Sequence, residues 1–174
     1  MARDNKRFKT KREKPEYDQK LLDLARVTRV VKGGRRFRFR ATLVIGNRKG
    51  KVGVGVGKGS DVSDAIKKAF DDAKKNMITV GLSKNTIAHD VYCKKGSAKI
   101  ILKPAPVGRG IVAGGAVRAV VDFAGIKDIV SKSLGTANKL NVARAAIAAL
   151  QMLESSKLKA GKMGRIGKKT EDVK

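Results

Sequence analysis

Residues 47–61 read N-R-K-G-K-V-G-V-G-V-G-K-G-S-D, and this stretch decides the fold because five glycines and four basic residues fall within it. From Val52 to Gly57, valine and glycine alternate strictly, so the valines share one face of a strand and the glycines share the other. A face without side chains lets another backbone, of protein or nucleic acid, approach closely. A tight twist or a bulge at any one glycine is the alternative that the sequence leaves open.

The Gly57-Lys58 pair also requires comparison with the loops that bind nucleotides. A P-loop has Gly, four residues, then Gly-Lys-Ser/Thr, but here Val52 stands at the first glycine position and Gly59 replaces the hydroxyl residue. The dinucleotide pattern G-x-G-x-x-G fails as well, because Lys58 or Ser60 occupies the position of its last glycine. We therefore interpret the stretch as a strand and not as a nucleotide site.

The sequence around this strand predicts an α+β domain over residues 21–82. A first strand is expected at 26–31, and Gly33-Gly34 marks the turn into a second strand. That second strand has an apolar face of Phe37, Phe39, Ala41, Leu43 and Ile45. Ser60 or Asp61 is expected to cap a helix that places its apolar residues on one stripe. The prediction is a three-stranded antiparallel sheet with one helix across its apolar face.

Residues 83–153 predict a second domain with the element order β-β-α-β-α. The expected elements are strands at 87–92, 98–103 and 128–133, a loop at 104–113, a helix at Gly115–Ala124, and a last helix from an Asn141 cap to about residue 153. Residues 1–20 and 154–174 contain many charged residues and few apolar ones, which predicts disordered basic tails that order on a polyanion.

The net charge predicts a polyanionic partner. The chain carries 41 Lys and Arg residues against 15 Asp and Glu residues, a net charge of +26. No segment approaches the roughly 18 apolar residues of a membrane span, and the charged amino terminus does not resemble a signal peptide. Cys93 is the only cysteine, which excludes an intrachain disulfide and a cysteine metal cluster and fits a cytoplasmic setting. We expect no membrane association.

The basic residues concentrate in one part of the chain. Eleven of them, and no acidic residue, lie between residues 26 and 58. An ordinary solvated face mixes the two signs, whereas a run of one sign is explained by contacts with phosphates. The eleven residues are Arg26, Arg29, Lys32, Arg35, Arg36, Arg38, Arg40, Arg48, Lys49, Lys51 and Lys58.

Catalytic or metal sites find little support in the sequence. His89 is the only histidine, and its pairing with Cys93 four residues later lacks a third residue to orient the imidazole. The aspartates at residues 61–72 alternate with lysines, which is typical of a solvated helix face. The glycine-rich stretch at 106–116 loosely resembles the phosphate loop of small-metabolite kinases of the galactokinase and homoserine kinase group, but it lacks their serines. We expect no enzyme activity, no cofactor and no metal.

Four motifs, in this order, resemble one known family. They are VVKGGRRFRF at residues 30–39, GVGVGKG at 53–59, KKNMI at 74–78 and GIVAGGAVRAV at 110–120. Together they are similar to the family of the fifth protein of the bacterial small ribosomal subunit. The resemblance implies a first domain like those that bind double-stranded RNA, followed by a ββαβα domain with a left-handed crossover, an exception to the usual hand.

The resemblance also implies a function and a set of site residues. The protein would be a structural constituent of the small subunit that binds 16S-type rRNA, lies between head and body, and contacts the fourth and eighth proteins of that subunit. It would line the channel through which mRNA enters and influence translational accuracy through Gly110 and Arg118. The family's first hairpin falls on residues 28–35. This match and the basic run together give the expected RNA contacts, which are Arg26, Arg29, Lys32, Gly33, Gly34, Arg35, Arg36, Arg48, Lys49, Lys51 and Lys58.

Two alternatives from other classes stay open on the sequence alone. One is a free-standing module for double-stranded RNA, and the other is a phosphotransferase. For the ribosomal protein and for the free-standing RNA module alike, we expect recognition of RNA shape and phosphate, since A-form grooves hide the base edges from side chains. Phe37 and Phe39 share the apolar face of their strand and are expected in the core rather than stacked on bases.

Overall fold

Two sheets and three helices make up the part of the chain that the computed structural model describes, residues 16–81 and 85–167, with side chains to residue 153. The expected domain boundary at 82–83, the first fifteen residues of the amino-terminal tail and the last seven of the carboxy-terminal tail lie outside the described residues. The elements are β1 Asp18–Val31, β2 Gly34–Gly46, β3 Lys51–Gly59, α1 Val62–Lys75, β4 Ile78–Thr79, β5 Val91–Lys95, β6 Ala98–Pro104, β7 Ile111–Val112, α2 Gly115–Ala124, β8 Ile129–Gly135 and α3 Lys139–Gly167.

The first sheet is antiparallel, with the strand order β1-β2-β3-β4. The predicted three strands and helix are confirmed, but the short β4 was missed; it pairs Thr79 with Lys51 at the edge of β3. β1 starts at Asp18 instead of residue 26, because it pairs with β2 along its whole length, as far as Asp18 opposite Gly46. Residues 18–20, which the sequence assigned to a tail, are therefore strand residues.

The glycine face of β3 is covered by helix α1. A Cβ atom added to Gly55 would lie 2.2 Å from the carbonyl oxygen of Ala69, and one added to Gly57 would lie 2.3 Å from that of Ala65. Real Cβ atoms do not come this close to backbone, so each glycine is needed for the helix to sit directly on the strand. The sequence left open whether protein or nucleic acid approaches this face, and the answer is the protein's own helix.

The valine face of β3 is buried as well, against the second domain. Val52 and Val54 belong to one core cluster with Val44 of β2 and with Val117 and Val120 of α2. The strand therefore separates two apolar layers, α1 on one side and α2 and α3 on the other. Alternation alone could not show this arrangement, since it identifies the residues that share a face but not what covers that face.

The second domain has a mixed sheet with the strand order β5-β6-β8-β7. Helix α2 confirms its predicted bounds, but the predicted loop at 104–113 contains β7, which pairs in parallel with β8. β5 starts at Val91 rather than residue 87, because its pairing with β6 covers only residues 91–95. Helix α3 begins at Lys139, since Asn138 and not Asn141 precedes it and accepts the backbone N–H of Leu140 through Oδ1, at 3.1 Å. It continues to Gly167 rather than ending near residue 153, so residues 154–167, which were predicted to belong to a disordered tail, are helical.

The two domains are joined where the β2–β3 turn meets the end of α2. The backbone N–H of Arg48 donates to the carbonyl of Phe123 at 3.0 Å, and that of Gly50 donates to Ala124 at 2.9 Å. Gly125, with φ +90°, leaves room for the carbonyl of Arg48, because a Cβ there would lie 2.2 Å from it. These contacts and the shared core make the described residues one packed unit.

Candidate nucleic-acid interface

The hairpin of β1 and β2 extends beyond the rest of the first domain. β3 ends at Gly59 opposite Phe39, so the ribbon from there to the turn has only two strands. Val31 pairs with Gly34, which leaves Lys32 and Gly33 as the turn and confirms the predicted hairpin. The predicted contact residues Arg29, Lys32, Gly33, Gly34, Arg35 and Arg36 all lie at or near this tip.

One face of the ribbon is covered with cations, and we call it the arginine face. Arg29 stands directly opposite Arg36, and Arg40 stands opposite Lys58. Like charges in directly opposed pairs destabilise a sheet, so the stability of the fold does not explain the arrangement. The alternation of β2 places Arg38 on the same face. The arginine face consists of Arg29, Arg36, Arg38, Arg40 and Lys58.

None of the five cations of the arginine face forms an ion pair with a carboxylate among the described residues. The ion pairs found in residues 16–81 and 85–153 involve Arg48, Lys103 and Lys139, and none of the five cations of the arginine face. The Nε atom of Arg40 is buried without a hydrogen-bond partner, which is uncommon because buried donors are normally satisfied. A recess of about 150 Å³ is lined by Val27, Thr28, Arg29, Arg36 and Arg38. An oxyanion in this recess would lie beside three arginines.

The opposite face of the ribbon carries a half-exposed aromatic ring. Phe37 is 48% exposed, so the prediction that it lies in the core is wrong, whereas Phe39 is partly buried against the α1 cluster as expected. The reason is that α1 starts at Val62, after β3 has ended, and covers the sheet only as far as Phe39. The guanidinium carbon of Arg26 lies 4.6 Å from the centroid of the Phe37 ring.

A second group of predicted contact residues lies far from the hairpin tip. Arg48 and Lys49 belong to the β2–β3 turn and Lys51 begins β3. The 13 residues of β2 separate this end of the sheet from the hairpin tip by roughly 40 Å. Asn47 Oδ1 orders this turn by accepting the backbone N–H groups of Lys49 and Lys51, at 2.8 and 3.0 Å. The structure therefore divides the predicted RNA site. Lys58 lies on the arginine face with Arg29 and Arg36, whereas Arg26 and Arg35 lie on the opposite face of the ribbon.

Arg48 has an intramolecular role that the sequence did not indicate. Its guanidinium pairs with Asp18 at 3.5 Å and with Asp122 at 4.0 Å, and it lies over the Phe123 ring at 5.7 Å. These partners come from the first strand and from α2, so the side chain links the two domains. The contact of Arg48 with RNA stays a prediction. Two carboxylates of the chain already offset the positive charge that would make this contact.

The glycine-rich stretch at 106–116 binds a carboxylate of its own chain. Asp128 Oδ1 accepts the backbone N–H of Gly110 at 2.8 Å and that of Gly108 at 3.1 Å, and the Asp128 residue is only 4% exposed. In a kinase, N–H groups of such a loop would hold a phosphate. Here two of them are taken, which argues against the phosphotransferase alternative.

Arg118 lies beside this loop, on the exposed side of α2. Its side chain donates a hydrogen bond from Nη2 to the carbonyl oxygen of Ile111, at 3.1 Å, and so ties β7 to the helix. The partner of this positive charge within the chain is therefore a neutral carbonyl. Gly110, with φ +75°, occupies a backbone conformation that other residues rarely adopt.

His89 and Cys93, the other catalytic pair considered, do not form a thiol–imidazole site. His89 is exposed and precedes β5, whereas Cys93 is buried within that strand. Burial raises the pKa of the Cys93 thiol, the opposite of what a nucleophilic cysteine needs. No group of three metal-ligating side chains occurs among the described residues, and no helix there is long and apolar enough to cross a bilayer.

A further basic surface, absent from our predicted site, lies on the second sheet. Lys94 of β5 stands directly opposite Lys99 of β6, and strand alternation places Lys132 of β8 on the same uncovered face. Tyr92, which is 57% exposed, lies next to Lys94 on this face. The alternation of buried residues and lysines in β5 and β6 was the signal for this surface, and it is weaker than the dense basic run at residues 26–58.

A two-domain α+β chain with these basic surfaces belongs to the class of nucleic-acid-binding proteins. Comparison with known proteins narrows the class: residues 17–81 match the N-terminal domain of ribosomal protein S5, and residues 93–162 match its C-terminal domain. The chain belongs to the ribosomal protein S5 family. It is therefore a ribosomal protein, a structural component and not an enzyme.

Several curated relatives are similar over nearly their whole length. The small ribosomal subunit protein uS5 of Campylobacter jejuni strains 81-176, 81116 and RM1221 is 56% identical over 139 residues, which cover 80% of this chain and 95% of each relative. The match confirms the family expected from the four sequence motifs and the α+β fold expected for both domains.

Proposed function

We propose that the chain is a structural component of the small ribosomal subunit, in the cytoplasm, and that it binds 16S-type rRNA through the arginine face of the β1–β2 hairpin. The observation that carries the proposal is the pair Arg29–Arg36, two like charges held directly opposite each other without an acidic partner among the described residues. Bound phosphates turn this repulsion into attraction and release the counterions condensed on the RNA. Recognition is of shape and phosphate.

The finer part of the proposal concerns position in the subunit. The chain holds the head relative to the body, contacts the fourth and eighth proteins of the subunit, and lines the channel through which mRNA enters. Its two domains suit this role because a shared core and the Arg48 link make them one rigid body. A rigid body that binds RNA at both ends can fix the distance between two parts of a particle.

The proposal also assigns Gly110 and Arg118 to translational accuracy. Gly110 directly precedes β7, and Arg118 lies near the start of α2 with its side chain exposed. One carbonyl does not neutralise its charge, so the guanidinium is free to bind a carboxylate of a neighbouring protein. Loosening of such an interface would ease the closure of the decoding site.

The test measures the affinity of the full chain for a small-subunit rRNA transcript at several salt concentrations. If the basic residues neutralise roughly 8 phosphates, affinity falls by about 10⁴ between 50 and 200 mM salt. The variant Arg36→Ala/Arg38→Ala should lower the salt slope by about 2, whereas Lys67→Ala/Lys68→Ala on the exposed side of α1 should leave it nearly unchanged. A flat salt response, or equal slopes for both variants, overturns the assigned surface.

A second measurement separates the subunit role from the two alternatives. Cosedimentation of the chain with small subunits supports the structural role, and a chain that stays free in cell extracts while binding duplex RNA supports the free-standing module. ATP turnover should be absent at every salt concentration. Measurable hydrolysis would revive the phosphotransferase alternative.

A further inference from the structure

We propose that Arg26 and Phe37 form a stacking site for one unpaired base of the bound RNA. The inference rests on the proposed function, because it assigns a second ligand chemistry to the hairpin that binds phosphates on its arginine face. The two residues lie on the opposite face of the same ribbon. The hairpin would thus hold the RNA backbone on one face and an extruded base on the other.

The first observation is the exposure of the ring. Phe37 is 48% exposed because neither α1 nor a third strand reaches this part of the hairpin, whereas Phe39, two residues further along the same face, packs against the α1 cluster. A large apolar side chain left half in water contributes little to the core. The packing of the domain therefore does not explain its presence at this position.

The second observation is the position of the guanidinium. Arg26 pairs across the strands with Phe39, yet its guanidinium carbon leans diagonally to 4.6 Å from the centroid of Phe37. Half of the phenylalanine stays exposed in spite of this contact. The pair presents a half-exposed aromatic ring with a planar cation over it, the two kinds of surface on which proteins stack unpaired bases.

The third observation is the charge around the pair, which selects RNA over a protein partner. Arg35 stands opposite the 75% exposed Val30 on the same face, and Lys32 is in the turn. No acidic residue occurs between residues 26 and 58, so all the charged side chains of this part of the hairpin are positive. The bases of a duplex are already stacked inside the helix, and the ligand of this site is therefore an unpaired nucleotide in a loop, bulge or end.

The experiment compares Phe37→Ala, Phe37→Leu and Phe37→Tyr in the full chain, with Val30→Ala as the matched control on the same face. Binding to the small-subunit rRNA transcript is measured across the same salt series. Loss of one stacked base should weaken binding of Phe37→Ala by roughly 5- to 150-fold at every salt concentration, with the salt slope unchanged. Phe37→Tyr should bind like the wild type, and Val30→Ala should lose much less.

Chemical probing of the transcript supplies a second readout. The wild type should protect one unpaired base from modification, and Phe37→Ala should leave that base reactive while the backbone stays protected. Equal affinity of Phe37→Ala and wild type, or rescue by Phe37→Leu as complete as by Phe37→Tyr, would overturn the stacking site and leave the phosphate-binding function standing. Failure of the wild type to bind with a salt-dependent affinity would instead remove the proposed function. Matching urea unfolding curves for the variants would exclude misfolding as the cause of a loss.

Discussion

Asp128 and Gly110 are joined by a hydrogen bond of 2.8 Å, from the backbone N–H of the glycine to a carboxylate oxygen that is shielded from water. The same oxygen accepts the N–H of Gly108, so one side chain fixes a loop that has glycines with φ of +91° and +75°. This loop carries Gly110 and leads into β7 and α2. The conformation of this loop, which contains the Gly110 that we assign to translational accuracy, therefore depends on the buried carboxylate of Asp128, directly before β8.

The first prediction follows from this bond. Asp128→Ala should lower the free energy of unfolding by about 2–4 kcal/mol, because it removes two charge-assisted hydrogen bonds and leaves both donors unpaired. Asp128→Asn keeps one acceptor oxygen and should cost less, about 1–2 kcal/mol. Urea unfolding followed by circular dichroism measures both. If both variants were as stable as the wild type, the carboxylate would not be what holds the loop.

The second prediction concerns the glycine face of β3. Valine suits a strand by propensity, but a side chain at Gly55 would meet the carbonyl of Ala69 and the backbone N of Ala73 at 2.2 and 2.3 Å. Gly55→Val should therefore lower the free energy of unfolding by about 3 kcal/mol or more and impair incorporation into the subunit. Gly33→Ala is the control, since a Cβ there meets nothing within 4 Å. Equal stability of Gly55→Val and Gly33→Ala would refute the role given to the glycines.

The glycines of β3 show how much of the fold could be predicted from the sequence. Alternation of valine and glycine predicted the strand and its two faces, since the period of two is a local property of the chain. It did not reveal that α1 covers one face and the second domain the other, because both contacts join residues distant in sequence. The same limit explains the error at Phe37: its position on the apolar face was right, but the point where the helix stops covering that face is set by α1 beginning at Val62.

The site was predictable to a similar extent. The run of cations at residues 26–58 predicted phosphate contacts in this part of the chain, and Gly33-Gly34 predicted the hairpin, which the structure confirms. The run could not show that Arg48 pairs with Asp18 and Asp122, because each carboxylate lies in another element. Nor could it separate the hairpin tip from the β2–β3 turn, roughly 40 Å away, a distance that only the unbroken length of β2 fixes.

The third prediction tests the joint between the domains. Gly125→Ala should lower the free energy of unfolding by about 2–4 kcal/mol, because φ is +90° there and the new Cβ would meet the carbonyl of Arg48 at 2.2 Å. Gly115→Ala, in the first turn of the same helix, meets no atom within 4 Å and should be neutral or slightly stabilising. Thermal unfolding of both variants measures the difference. Indistinguishable melting curves would show that the close approach at Gly125 contributes nothing.

The fourth prediction uses the buried thiol. Burial raises the pKa of Cys93 above its ordinary value of 9.0, so the folded state favours the protonated form. The stabilisation from this group is fully present below the pKa of the unfolded chain and is lost as the pH rises through the higher folded pKa. The stability difference between the wild type and Cys93→Ala should therefore be constant from pH 6 to 8 and become smaller above about pH 9.

Thiol labelling checks the same point independently. In the native protein Cys93 should react with a disulfide reagent only as fast as the domain opens, and denaturant should make the reaction fast. Rapid labelling of the folded chain at pH 7 would contradict the burial of this side chain.

The last prediction concerns Arg118. Arg118→Leu removes its bond to the carbonyl of Ile111, which should cost the isolated chain only about 0.5–1.5 kcal/mol, because that carbonyl can bond to water. RNA binding should change little, since one charge of a net +26 is lost. If the guanidinium also binds a carboxylate of a neighbouring protein, subunits with this variant should misread near-cognate codons more often in cell-free translation.

Arg118→Lys is the matched control, because it keeps the charge and loses only the planar donor geometry. Misreading by this variant should fall between that of the wild type and that of Arg118→Leu. Unchanged accuracy in normally assembled subunits carrying Arg118→Leu would refute the role in decoding. If Arg118→Leu failed to fold although Arg118→Lys was stable, the bond between β7 and α2 would be the whole function of the side chain.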